Sequence, residues 1–251
     1  LCKGRLAPAL TGEVDLLNLA RLVVRGGWPG NLDTQPEDAP LLPQSYIDAI
    51  LNDDSQRING KKNELTKMRL LLRSLARNES TTATNKKLLN DIKETDDATI
   101  DTNTIATYLD VFDRLFLLDN QPPFSTNIRS SVRVKQAEKR HFCDPSLACA
   151  LLRATPAKLV GDLETFGSLF EALVERDLKI YAESFGAKLF HYQDYKNKEI
   201  DAVIELDDGR WCAFEIKLGA NQIDTAAASL VAINDEFRAD PKATPASALC
   251  V

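Results

Sequence analysis

Histidine is scarce in this sequence, which contains only two, His141 and His191. Neither lies in an HExxH zinc motif, and the sequence has no GxSxG nucleophile elbow. Because a catalytic triad or a histidine-rich zinc site would have to use one of these two residues, we expect both to be structural. The sequence also has no GxxxxGK[ST] phosphate-binding loop, so this chain alone is not expected to hydrolyse ATP.

Long apolar runs and paired cysteines are missing as well. No apolar run approaches the ~20 residues of a membrane-spanning helix. The first residues lack the basic-then-apolar order of a secretion signal. The 5 cysteines include no CxxC pair, which favours reduced thiols in a cytoplasm over a disulfide framework. We therefore expect a cytoplasmic protein that does not enter a membrane.

Positive charge is in deficit. Lys and Arg number 31 against 37 Asp and Glu, which gives a net charge of −6. Such a chain is not expected to bind nucleic acid over its whole surface, so that role needs a local basic face or a metal ion. The best basic candidate is the segment 128–140, where only Glu138 opposes the cations; a solvated surface is the alternative interpretation. The weak candidates for nucleic-acid contact are Arg129, Arg133, Lys135, Lys139 and Arg140.

Helical periodicity dominates the first half of the sequence. Apolar residues at three- and four-residue spacing predict helices near 14–24, 46–52, 64–77, 88–92 and 102–115. A strand over Phe116–Leu118 would complete the three-helices-then-strand order of a winged-helix unit. However, the last helix carries Asp110 and Asp113 against Arg114, which is the wrong sign for a helix that faces DNA. A packing or protein-contact domain is therefore the alternative interpretation.

The second half of the sequence changes period. A helix is predicted over 163–184, followed by strands over 187–192, 199–206 and 211–218, which is typical of an α/β layer architecture. The last two strands are joined by Asp207, Asp208 and Gly209, a three-residue hairpin loop with glycine at its left-handed position. This loop sets a register in which Ala202 lies opposite Phe214.

The same register brings two acids together. Asp201 lies directly opposite Glu215, with Lys217 one pleat away, while Ile200 shares an apolar face with Ala202. Opposed like charges cost up to ~1 kcal/mol unless something compensates them, and Mg²⁺ or Mn²⁺ would do so. Lys217 could then orient a water or hold a phosphate in phosphodiester hydrolysis. In the alternative interpretation this face is solvated: Lys217 pairs with Glu199, and Asp201 points to water.

Several blocks of the sequence carry a family resemblance. Asp201 together with Glu215-Ile216-Lys217 resembles the motif of the PD-(D/E)XK nuclease superfamily, although Glu199-Ile200 precedes Asp201 where that motif has its Pro-Asp element. The wider set of blocks resembles the uncharacterised C-terminal domain attached to a family of prokaryotic AAA+ type ATPases. These blocks are Gly26–Pro29, Leu72–Arg77, Lys139–Ala148, Gly167–Val174, Glu199–Asp201 and Phe214–Lys217.

The resemblance implies an α/β protein with a helical, winged-helix-like domain followed by a restriction-endonuclease-like α/β/α domain with a mixed sheet. We expect the tail of an ATPase region and a linker over 1–45, the helical domain over 46–130 and the nuclease-like domain over 131–251. The resemblance also implies that an ATPase domain, where ATP would bind, precedes this region, so the chain is expected to be a C-terminal portion.

The resemblance further implies site residues. Asp201, Glu215 and Lys217 would form the nuclease-type core, and Glu171 would be the helix carboxylate that completes it. The expected function is an Mg²⁺- or Mn²⁺-dependent nuclease-like module, with Glu171, Asp201 and Glu215 holding the metal and Lys217 positioning the attacking water. DNA or RNA would be the substrate. The alternative is a catalytically inactive module that binds protein or DNA and regulates the ATPase, so enzymatic activity stays open.

Overall fold

The computed structural model describes residues 15–54, 65–95, 100–125 and 137–251. Within these ranges the protein is mixed α/β, with one four-stranded sheet. No helix within them is both long enough and apolar enough to cross a membrane. The helices are α1 (Leu16–Arg25), α2 (Leu41–Ala49), α3 (Leu65–Arg77), α4 (Asn85–Thr95), α5 (Thr102–Arg114), α6 (Pro145–Leu152), α7 (Pro156–Gly161), α8 (Leu163–Ser184) and α9 (Ile223–Ala239). The strands are β1 (Lys188–Gln193), β2 (Glu199–Glu205), β3 (Trp211–Phe214) and β4 (Ala248–Cys250).

Most of the predicted helices are confirmed, because apolar periodicity and end signals agree. In α3 the apolar stripe of Met68, Leu71 and Leu75 is buried. In α5 the side chain of Asp101 caps the helix by accepting a hydrogen bond from the backbone N–H of Thr104 at 2.7 Å. Three helices that periodicity did not reveal are α6, α7 and α9. The first two begin at a proline that follows a capping Asp or Thr, which is a readable start signal.

The strand predicted over Phe116–Leu118 is wrong. Phe116 has a φ of 56° and ends α5 in the left-handed conformation, so the chain turns at this residue. The backbone N–H of Leu117 donates to Phe112 O at 2.9 Å, which closes the helix end. Leu118 forms an isolated antiparallel bridge with Phe142 and is not part of a strand.

Chain packing divides the protein into two compact units. The helical unit comprises the described parts of Val14–Asn120 and Arg140–Leu173, and the sheet unit comprises the described parts of Gln121–Lys139 and Val174–Val251. Helix α8 contributes its first part to the helical unit and its second part to the sheet unit. The domain boundaries predicted at 45 and 130 stay predictions, because packing alone does not show which segments fold independently.

Two of the family-like blocks meet inside the helical unit. Gly26 has a φ of +70°, which lets the chain turn after α1. The next backbone N–H, that of Gly27, donates to Asp144 Oδ2 at 2.8 Å, and Trp28 Nε1 donates to Ser146 Oγ at 2.8 Å. The blocks around 26–29 and 139–148 therefore hold α1 against the start of α6 and have a structural role here.

The sheet unit is layered. Its strand order is β1-β2-β3-β4; the first two pairs are antiparallel, and β3 and β4 are parallel. One face packs Val203 and Trp211 against Leu230 of α9. The other face packs Ala202 and Ile204 against Ala182 of α8. Both faces are thus covered by helices, which explains why five consecutive residues of β2 are buried.

Candidate functional site

The predicted hairpin register is confirmed where the strands pair. Ala202 lies opposite Phe214, and Ile204 lies opposite Cys212. Gly209 supplies the left-handed residue of the loop, with a φ of +81°. The ladder ends at the pair Ala202–Phe214, so Asp201 and Glu215 lie immediately beyond it.

The single apolar face predicted for β2 is wrong at Ile200. Between Phe190 and Tyr192, β1 advances two residues while β2 advances three, from Val203 to Ile200. This is a β-bulge at Asp201 and Ala202, and an extra residue shifts the alternation of faces. Ile200 therefore joins the core under α9, whereas Ala202 lies on the face covered by α8.

The carboxylate of Asp201 is held by the neighbouring strand segment. Its side chain is buried, with 5% of the residue exposed. Asp201 Oδ2 accepts a hydrogen bond from the backbone N–H of Ile216 at 2.7 Å. Ile216 is two residues past the end of the ladder, so its N–H points towards β2, where it meets this carboxylate.

Lys217 joins the two acids. Its Nζ lies 2.7 Å from Glu215 Oε1 and 3.3 Å from Asp201 Oδ2. Glu215 is 8% exposed, and the Lys217 side chain is 28% exposed, so the amine closes the site on the solvent side. The solvated-face interpretation is wrong, because Asp201 is buried and the ion-pair partners of Lys217 in the described chain are these two acids.

Burial and charge shift the pKa values of this group. Burial, followed by the negative charge of Asp201, raises the pKa of Glu215 above its ordinary range, although Lys217 opposes the shift. Burial alone would lower the pKa of Lys217, but its hydrogen bond to Glu215 and the charges of both acids outweigh burial and raise it. The amine is therefore a cation at neutral pH.

The donor set suits a hard divalent cation in part. Glu215 Oε2 is buried and has no hydrogen-bond partner among the described residues, so one carboxylate oxygen remains for a ligand. Mg²⁺ commonly takes one or two carboxylates and keeps several waters. However, no group of three or more His, Cys, Asp or Glu side chains in the described chain is arranged to hold a metal ion. Asp201 and Glu215 would thus leave most coordination positions to water.

Glu171 lies in α8, within the part of that helix that belongs to the helical unit, and it is half-buried. Its role as a third metal ligand stays a prediction. Sequence reasoning missed Glu175, one turn further along α8, which is 2% exposed. The signal for it was a second acid at helical spacing from Glu171 within an apolar stripe.

The basic segment is only partly described. Arg129, Arg133 and Lys135 lie outside the described residues. Lys139 is buried, and its Nζ donates to Glu175 Oε1 at 2.8 Å. Arg140 donates to Ala83 O at 3.3 Å and to Asn85 Oδ1 at 3.1 Å. Both of these side chains are thus engaged within the protein.

Both histidines are buried. His141 Nδ1 lies 3.1 Å from Glu79 Oε1 in the helical unit. Burial, reinforced by the positive charge of Lys139, lowers the pKa of His191 to about 4, so this imidazole is neutral at pH 7. Both imidazoles therefore lie inside the protein, and their structural role stays a prediction.

Two family models match this chain. One, described as a domain of unknown function (DUF8612), matches residues 16–158. The other, described as a domain of unknown function (DUF4143), matches residues 166–247. The second match spans Asp201, Glu215 and Lys217. No curated protein and no solved structure matches the sequence.

Proposed function

The chain belongs to the family described as a domain of unknown function (DUF8612), and we propose that its sheet unit is a metal-dependent, nuclease-like module that hydrolyses nucleic-acid phosphodiesters. The observation that carries this proposal is that two buried carboxylates, Asp201 and Glu215, share the single amine of Lys217. Burying two acids side by side is costly, and such arrangements concentrate at functional sites.

The architecture supports the same proposal. A mixed sheet covered on both faces by helices, with the acids at a hairpin and a bulge, agrees with a restriction-endonuclease-like domain. The helices α3, α4 and α5 supply the three helices of a winged-helix-like domain before it, although the strand predicted to follow them over Phe116–Leu118 does not form. The resemblance of several sequence blocks to the C-terminal domain attached to prokaryotic AAA+ type ATPases supports a role beside such a motor. Function nevertheless has to be argued from the site, because one fold can serve many functions.

Each residue of the site has a distinct role in this proposal. Asp201 and Glu215 would hold Mg²⁺ or Mn²⁺, and Glu215 Oε2 is the oxygen that has no other partner in the described chain. A bound divalent cation supplies Lewis-acid polarisation of a phosphoryl oxygen. Lys217 is protonated at neutral pH, because its pKa is raised. It therefore donates hydrogen bonds, either to the attacking water or to a phosphate oxygen, and does not act as the general base.

Cleavage assays test the proposal. The purified chain should nick supercoiled plasmid, or cut single-stranded DNA or RNA, with Mg²⁺ or Mn²⁺ and not with EDTA. Lys217→Met should abolish cleavage while retaining the fold. Lys188→Met, at an exposed position at the start of β1, is the matched control and should cleave like the wild type. Intact substrates of all three kinds after incubation with either metal would refute the proposal.

A second candidate function is a regulatory binding module without catalysis. It is favoured by one observation: Lys217 already lies between the acids and compensates part of their charge without any metal. Calorimetry separates the two functions. If Mn²⁺ binds to the wild type and this binding is lost in Asp201→Asn, the nuclease-like site is supported. If no Mn²⁺ binding depends on Asp201 or Glu215, the binding module is the better account.

A further inference from the structure

We propose that Lys139, Glu175 and Gln121 form a buried positioning group that fixes the backbone of Asp201 and thereby aims its carboxylate at the site. The chemistry assigned to that site rests on the function proposed above, whereas the positioning itself is a property of the folded chain. The three residues are 7%, 2% and 4% exposed, respectively. Lys139 and Gln121 donate to the carbonyl oxygen of Asp201, and Glu175 holds the Lys139 amine, so the group acts through Asp201.

The bulge makes the backbone at Asp201 a weak point of the sheet. Because β2 advances three residues while β1 advances two, one residue of β2 falls out of the regular ladder here. A strand that leaves its ladder loses the hydrogen bonds that fix its orientation. The orientation of the Asp201 carboxylate therefore has to be fixed by other contacts.

Side chains supply that support. Lys139 Nζ donates to the carbonyl oxygen of Asp201 at 3.4 Å, and Gln121 Nε2 donates to it at 3.5 Å. Gln121 Nε2 also donates to Phe190 O at 2.8 Å, so this one amide spans both strands at the bulge. Two separate donors thus converge on a single carbonyl.

The donors are themselves fixed. The backbones of Gln121 and Lys139 exchange two hydrogen bonds, of 2.9 and 3.0 Å, in an antiparallel bridge. The Lys139 amine is held at its other side by Glu175 Oε1 at 2.8 Å. This ion pair is almost completely buried, and removing charges from water is expensive. A buried pair contributes little net stability as a rule, which favours a role in specifying geometry at this point.

Hydrogen exchange at one amide reports the positioning directly. The N–H of Ile216 donates to Asp201 Oδ2, so its protection measures whether that carboxylate is in place. In Lys139→Met/Glu175→Met, which removes both charges together, we expect Ile216 to exchange at least tenfold faster than in the wild type. Amides of the ladder between Ala202–Glu205 and Trp211–Phe214 should change less than threefold. A purely structural role would instead accelerate the whole ladder.

The chain offers a matched control and a milder variant. Lys198→Met/Glu236→Met removes a more exposed ion pair of the same unit and should leave Ile216 unchanged. Gln121→Leu removes one donor and no charge, so it tests the proposal even if the double variant does not fold; we expect a threefold or larger acceleration at Ile216. Lys139→Arg keeps a donor and the ion pair, so in this variant the Ile216 amide should retain most of its wild-type protection. Unchanged exchange of Ile216 in Gln121→Leu, or a uniform acceleration of the ladder, would overturn the proposal.

A metal measurement separates this inference from the proposed function. If the wild type binds Mn²⁺, the double variant should bind it 10–100-fold more weakly, as is typical when groups that orient a ligand are removed. If the wild type binds no Mn²⁺ and cleaves nothing, the proposed function fails. The exchange of Ile216 still decides whether Lys139, Glu175 and Gln121 position Asp201.

Discussion

Asp201 Oδ2 accepts the backbone N–H of Ile216 at 2.7 Å, just beyond the last paired residues of the β2–β3 ladder. A side chain thus takes the place that a strand carbonyl would occupy. The carboxylate is fixed before any ligand arrives, and its oxygen is directed towards Lys217. Such preorganisation is what a binding or catalytic site requires, because little ordering remains to be paid for when the ligand binds.

Removing the Lys217 amine should destabilise the folded protein, because it leaves the two buried acids without their shared cation. Lys217→Met is expected to lower the free energy of unfolding at pH 7 by about 1–3 kcal/mol, less than for a fully buried pair because the side chain is 28% exposed. Urea denaturation measures this, with the exposed Lys196→Met as a control that should change by less than about 0.5 kcal/mol. Equal effects of the two substitutions would contradict the central role of Lys217.

The same variant should respond to metal more strongly than the wild type. Without the amine, a divalent cation is the remaining source of positive charge for Asp201 and Glu215. We expect Mn²⁺ to raise the unfolding temperature of Lys217→Met more than that of the wild type, since ligands stabilise the state that binds them. Thermal unfolding with and without Mn²⁺ checks this, and Lys217→Met/Asp201→Asn should lose the difference.

The raised pKa of Glu215 predicts a pH-dependent stability. Burial, and then the charge of Asp201, makes the folded protein hold this proton more tightly than the unfolded chain does. The stability that Glu215 contributes is therefore fully present at pH values below its pKa in the unfolded chain, roughly 4.3. This stability is lost as the pH rises through the pKa of Glu215 in the folded protein. Glu215→Gln cannot ionise and escapes this loss.

The difference in unfolding temperature between Glu215→Gln and the wild type should therefore shift in favour of the variant as the pH is raised from 4 to 7. In a chain of this size, each kcal/mol of that change corresponds to about 2–4 °C. The loss of a partner for Lys217 offsets part of the gain. Scanning calorimetry at both pH values measures the difference. A gain that is larger at pH 4 than at pH 7 would show that the sign of the pKa shift is wrong.

Phe116 is a position where the native residue is unfavourable. It has a φ of 56° and is 78% exposed, so it has backbone strain and little packing to lose. Phe116→Gly should raise the free energy of unfolding by about 0.5–1 kcal/mol, since glycine adopts the left-handed conformation freely. Phe116→Ala keeps the Cβ atom and should not show this gain. Denaturation curves of both variants provide the test.

Gly26 should tolerate no side chain. A Cβ atom there would lie 2.4 Å from Asp144 Oδ1 and 2.5 Å from Ser146 Oγ, and the φ of +70° would be strained. Gly26→Ala is expected to cost about 2–3 kcal/mol, because it disturbs the contact between α1 and α6 as well as the backbone. Gly167→Ala, where nothing lies within 4 Å of the added atom, should instead be neutral or slightly stabilising.

Predictions from the sequence were correct where the conformation of a segment depends mainly on its own residues. Apolar periodicity located α3 and α5, and the Asp207–Gly209 loop set the register of β2 against β3. That register is a property of turn geometry and alternation, so the approach of Asp201 to Glu215 and Lys217 was readable from the sequence.

Contacts between segments far apart in the sequence decided the rest. The bulge in β2 moved Ile200 to the other face of the sheet, and no local pattern announces an extra residue that only the partner strand defines. Lys139 resembled a surface cation in its basic segment, yet it is buried because Glu175, from a helix much later in the chain, pairs with its amine. Charge patterns are local, whereas burial depends on what the rest of the chain packs over a residue. The amino-acid sequence by itself therefore determined which chemical groups meet at the hairpin, and the tertiary structure decided how deeply they are buried and what holds them in place.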